Sequence, residues 1–235
     1  LISDWYNWRA VFIVSTLLTI LSLIITMIYI RPHQPSHAIS LKEQVRAIKS
    51  IKIVSAHVMM ILSMGGHYIL YAYLTPYLDH YYHFSSTAIS IIYFVFGFSA
   101  IAGGYIGGLL ADKIGAKRAV ISVVGVFAIV LLLISLTASY MYIFFVLLVA
   151  WGILSWAISP PQQSYLIETT PRTADIQQSI HNSALQIGIA VGSGLGSFII
   201  SVTTTVQFNS WVALVMMVIA LGLALFSTSR KSELQ

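Results

Sequence analysis

Long apolar runs alternate with short polar breaks along this chain. Seven runs stand out, at 10–30, 53–78, 88–110, 119–138, 140–159, 183–202 and 209–229, and none contains Asp, Glu, Lys or Arg. Each has about 20 residues or more, enough at 1.5 Å per residue to cross a hydrocarbon core about 30 Å thick. Backbone polar groups in lipid must be satisfied within the segment, so the runs predict helices. The residue-by-residue alternation of a transmembrane barrel is absent. The pattern predicts an all-α, polytopic membrane protein with seven transmembrane helices.

Composition agrees with a lipid environment. Of the 235 residues, 58% are hydrophobic and 8% charged, whereas soluble domains carry about 25% charged residues. With no Cys in the chain, a disulfide scaffold and thiolate metal sites are excluded. The chain opens on Leu1 with no charged leader before its first apolar run. That predicts no signal peptide, and a start partway through a longer protein or in a truncated gene product.

The breaks carry the charge. The 31–52 connection holds Arg31, Lys42, Arg46, Lys49 and Lys52, and the turn after the third run holds Lys113, Lys117 and Arg118. Arg172 lies in the fifth connection, and Arg230 and Lys231 in the tail. With alternating helices these regions share one side and leave only Arg9 opposite. Basic residues stay in the cytoplasm, which predicts an outside amino terminus, a cytoplasmic carboxyl terminus and a plasma-membrane location. The net charge of +5 then needs only anionic lipid as its neighbour, not nucleic acid. Trp5, Tyr6, Trp8, Tyr77, Tyr81, Tyr82, Tyr140, Tyr142, Phe208 and Trp211 form an aromatic belt on the outer edge. The organisation expected is an external loop and one helix at 1–30, a cytoplasmic linker at 31–52 holding a short surface helix, and a six-helix bundle with its tail at 53–235.

Small residues repeat at every fourth position in two runs. Ala184, Gly188, Gly192 and Gly196 form one stripe; Ala100, Gly104 and Gly108 form another. Helices in lipid associate where small residues let backbones approach. His67 lies near the middle of the second run and shares a helical face with Ser63 and Tyr71. An ionisable residue at that depth marks a candidate substrate or proton pathway, and a neutral histidine bonded between helices is the competing reading. The Gly65-Gly66 pair and Pro76 are expected to weaken that helix locally. Asn182 and Gln186 are four apart and can face a polar substrate or bond a neighbouring helix. Trp151 and Trp156 can stack on a ligand or pack in the core. His33, His37, His57, His80 and His83 fit no metal-ligand spacing, so neither a metal nor a cofactor is expected.

Gly108-Leu-Leu-Ala-Asp112-Lys113-Ile-Gly115-Ala-Lys117-Arg118 resembles the loop signature of the major facilitator superfamily. Three further segments occur in matching order. Trp8-Arg9-Ala10-Val11-Phe12 resembles the entry to the sixth helix of its exporters, and Tyr71-Ala-Tyr73-Leu-Thr-Pro76-Tyr77-Leu78 the end of the seventh. His181-Asn182-Ser183-Ala184-Leu185-Gln186-Ile187-Gly188-Ile-Ala190-Val-Gly192 is similar to the start of helix eleven in the arabinose-efflux-like branch, where Asn commonly stands in place of Gln186. The resemblance implies helices six to twelve of a twelve-helix secondary carrier: the carboxyl-terminal half of the fold plus one helix. It implies no enzyme but alternating-access efflux of a small molecule (a drug, sugar or metabolite) by antiport with protons. An amino-terminal half is then a missing partner, carrying most coupling carboxylates. It assigns Gly108, Asp112, Lys113, Gly115, Lys117 and Arg118 to a conformational gate, where Asp112 is favoured by adjacent cations and by a nearby helix amino terminus. A seven-helix receptor or sensor, and a truncated fragment that does not transport, stay open as alternatives.

Overall fold

The computed structural model describes residues 8–29 and 50–230. Trp5, Tyr6, residues 31–49 of the linker with its histidines and most of its expected surface helix, and Lys231 lie outside the described residues, while the expected linker's last two residues, Ile51 and Lys52, already belong to a helix. Two compact units divide the chain, Leu1–Ile39 and Ser40–Gln235.

The first unit holds α1 (Trp8–Tyr29), apolar around its circumference. Its Ser15, Thr16 and Thr19 hydroxyls donate to the carbonyls of Val11, Phe12 and Ser15. Bonding back along the helix satisfies them without a partner helix.

The second unit holds α2 (Ile51–Tyr71), α3 (Leu74–Tyr82), α4 (Ser86–Ile114), α5 (Ala116–Thr137), α6 (Met141–Ala157), α7 (Ser159–Thr169), a 3₁₀ turn (Pro171–Thr173), α8 (Ala174–Thr203) and α9 (Gln207–Ser229). With α1, seven helical spans among the described residues are long and apolar enough to cross a membrane. The second span is broken at Ala72–Tyr73. Pro76 has no N–H to give the carbonyl four residues back, and Tyr73 N–H turns to Leu70 O. That frees Ile69 O, which accepts instead from Asn209 Nδ2 of α9 at 2.9 Å. α2 runs unbroken through Gly65 and Gly66. These two glycines make room for α9: an added Cβ would lie 2.6 Å from Met216 Cε at Gly65 and 2.9 Å from Ala213 O at Gly66.

Two other boundaries differ from the sequence reading. The apolar run at 140–159 continues past a kink into α7, with Pro160 and Pro161 in its first turn, where the missing N–H costs nothing. The connection between the runs at 140–159 and 183–202 is thereby mostly helix. It shrinks to the turn around Pro171, and α8 begins at Ala174.

Packing centres on α2, the most buried span. Gly188, Gly192 and Gly196 of α8 lie along its backbone. A Cβ at Gly188 would come 2.6 Å from Ile61 O, one at Gly196 would come 2.9 Å from Ile69 O, and one at Gly192 would overlap Gly65 O. On α4 the expected stripe is off by one residue. Gly104 and Gly108 have nothing within 4 Å of an added Cβ, whereas Gly103 and Gly107 lie on Ile153 O and Ala157 O. Both sets repeat every fourth residue, and the neighbour that decides between them, α6, is invisible to spacing alone.

At the α7 end of the bundle the contact between helices turns polar. His57 Nε2 meets Gln177 Oε1 at 2.8 Å, Gln162 Nε2 donates to Ala56 O, and Ser159 Oγ meets His181 Nε2 at 3.1 Å. All but Ser159 are buried. This seam ties α2, α7 and α8 together.

Candidate functional site

His67 is the pivot of the interior. It is 1% exposed, enclosed by Tyr68, Tyr71, Phe96, Phe127 and Trp151. Tyr71 stacks on it with ring centroids 5.2 Å apart, and Phe96 lies 4.9 Å from Tyr71. Trp151 Nε1–H donates to His67 Nδ1 at 2.9 Å. An indole nitrogen can only donate, so Nδ1 is bare and a neutral ring carries its hydrogen on Nε2. The aromatic ring of Trp151 was legible as a packing residue; its N–H as the partner of His67 was not, because 84 residues separate the two.

Beside this cluster lies a groove of about 410 Å³, lined by His67, Tyr68, Tyr71, Phe96, Gly97, Ala100, Ile101 and Trp156. It runs between α2, α4 and α6. Gly97 has nothing within 4 Å of an added Cβ, so it keeps that wall open. No lining residue is charged. The chemistry offered is ring faces, two phenol hydroxyls, an indole and one imidazole.

Of the residues singled out by sequence, His67 and Tyr71 meet in this groove. Ser63 does not reach it: it is fully buried, and its hydroxyl points at Met59 Sδ, 3.6 Å away. The four-residue spacing was right, but the last turn of that face is covered. Asn182 and Gln186 lie on the exposed side of α8, off the buried glycine stripe, and neither lines the groove.

The basic turn is a separate place. Gly115 alone joins α4 to α5, at φ +82°, a conformation that glycine adopts without the Cβ clash of other residues. Asp112, Lys113, Lys117 and Arg118 are all exposed, and no ion pair joins them among the described residues. Asp112 sits in the last turn of α4, not at a helix amino terminus, because α4 runs four residues beyond the apolar stretch. Lys113, in the same last turn, suits a helix end.

A model of the Major Facilitator Superfamily matches residues 56–234. The chain is 26% identical to an uncharacterized MFS-type transporter, YbcL, of Bacillus subtilis (strain 168), over 97% of this chain and 59% of that protein. It is 26% identical to a probable sugar efflux transporter of Helicobacter pylori (strain P12), over 85% of this chain and 51% of the relative. An inner membrane transport protein of Escherichia coli (strain K12), YdhP, is 22% identical over 99% of this chain and 59% of its own length. The chain thus spans between half and three-fifths of the length of these relatives.

Proposed function

This chain belongs to the major facilitator superfamily, and we propose that it supplies the carboxyl-terminal bundle of a secondary carrier that exports a small molecule by alternating access. The observation that carries the reading is the open aromatic groove beside α2, with His67 held in its wall. Facilitators pass substrate between two six-helix halves, and a groove on one half is what such a path requires. The name of the Helicobacter pylori relative supports sugar among the substrate classes, beside drugs and metabolites. Antiport with protons follows from the resemblance, with coupling carboxylates on the partner half.

In this reading residues 1–30 and 53–235 belong to opposite halves, joined by a cytoplasmic linker at 31–52. The turn at Gly108, Asp112, Lys113, Gly115, Lys117 and Arg118 is the gate. No ion pair holds its cations among the described residues, and in this reading they face the other half on the cytoplasmic side. Asn182 and Gln186, also open, belong to the same facing surface. The reading assigns no catalytic residue.

This chain contains no Cys, so, with any cysteine of the other half replaced, an introduced thiol permits a clean test. In vesicles holding the complete carrier, a transported compound is identified by screening, and Gly97→Cys is then treated with a bulky maleimide. Modification should abolish flux, and the compound should slow modification. The same thiol placed at Val146, exposed on α6, should change neither. Full flux after complete modification of the Gly97→Cys variant would remove the groove from the path.

A further inference from the structure

We propose that His67 acts as a fixed hydrogen-bond donor in the groove, and that the groove takes an uncharged molecule with a ring-shaped apolar face and an acceptor oxygen. The proposal rests on the reading of the groove as substrate path and adds the chemistry of its occupant.

The donor role follows from hydrogen-bond geometry. Trp151 occupies Nδ1 and can only donate. A proton added there would set N–H against N–H in a buried site, at the cost of a lost bond and two unsatisfied donors. His67 Nε2–H is therefore the polar group the imidazole can offer, beside the Tyr68 and Tyr71 hydroxyls and the Trp156 indole that also line the groove. The ring cannot turn over to present an acceptor without abandoning Trp151. Phe96, stacked 6.0 Å from His67, and Tyr71 on the same ring confine that rotation further. Trp151 is thus a positioning residue, and His67 the residue that touches the ligand.

The neutral class follows from what the wall lacks. No carboxylate, Lys or Arg lines the groove, so a charged ligand would lose its hydration against this wall with no counter-ion from it. That penalty stays large even after relaxation. Ring faces return less than that to a cation, and the His67 N–H opposes a cation directly. An apolar ring face, by contrast, stacks on Tyr71, Phe96 and Trp156 at no such cost. An ether, hydroxyl or carbonyl oxygen on that ring would accept from His67 Nε2–H. Glycosides and neutral aromatic carbonyl compounds meet both conditions.

Two measurements test this on the complete carrier. First, nitrogen NMR of histidine-labelled protein in nanodiscs, assigned with His67→Gln, should show Nδ1 bare and Nε2 protonated at both pH 8 and pH 5.5. A doubly protonated ring, or hydrogen on Nδ1, overturns the donor assignment and needs no variant to be active. Second, binding of 4-nitrophenyl β-D-glucopyranoside is compared with binding of tetraphenylphosphonium. The glucoside should bind, and His67→Phe should weaken it about tenfold, the loss of one hydrogen bond. His67→Gln should restore it to within about threefold, because its amide can accept from Trp151 and still donate. Equal glucoside binding by His67→Phe overturns the donor role while leaving the groove as path. Preference for the phosphonium overturns the neutral class. Failure of both probes to slow maleimide modification of the Gly97→Cys variant counts against the groove and the inference together.

Discussion

Trp151 and His67 form a contact whose value can be measured one atom at a time. Trp151→Phe keeps ring packing but leaves Nδ1 of a buried imidazole without its donor. Losing such a bond costs about 1–3 kcal/mol, so the variant should unfold at lower temperature in detergent while retaining helix content by circular dichroism. Tyr82 offers a second test, outside the spans. Its hydroxyl donates to Ala138 O, and burial, then the neighbouring Tyr81, pushes its phenol up to about 12. An unfolded tyrosine ionises near 10. Between those values the unfolded chain sheds a proton that the folded one keeps, so stability falls as pH rises from about 10 to 12. An alkaline series of unfolding midpoints should show that slope, and Tyr82→Phe should make it shallower.

Helices are where the sequence was most legible and also where it misled. Apolar runs, prolines and the φ-demanding Gly115 located nearly every element, because burial in lipid leaves the backbone few alternatives. Spacing also found the α8 stripe that meets α2. It missed on α4, where Gly103 and Gly104 both begin repeats of four and only the position of α6 chooses between them. The contrast is testable. Gly192→Ala, which drives a methyl into the Gly65 carbonyl, should lower the unfolding midpoint sharply, and Gly104→Ala should leave it unchanged in this bundle. A midpoint that falls equally for both would contradict the assigned register. The polar seam of His57, Gln162, Gln177 and His181 was equally hidden. Its one signal is that Gln177 and His181 extend the α8 glycine stripe by two further turns, which marks them as facing a neighbour.

For the molecule as a whole, charge placement rather than packing sets the expected orientation. Single cysteines at Lys117 and Arg230 should react with an impermeant maleimide only from the cytoplasmic side, and one at His83 only from outside. Lys117 and Arg230 labelled from opposite faces would break the topology. Function is expected only from two halves together: vesicles containing this purified chain alone should show no substrate flux, and measurable flux there would overturn the two-half reading. What composition could not disclose was the occupant of the groove, since its walls come from α2, α4 and α6, distant in sequence, and depend on how three rods meet. Next to that groove, α2 touches α8 backbone against backbone at Gly188 and Gly192, and α9 at Gly66, with the Met216 side chain seated against Gly65. An axle gripped so closely has no play. A tug on Tyr71 or His67 would be passed to both neighbours at once, so the bundle should turn as a block and leave bending to its joints.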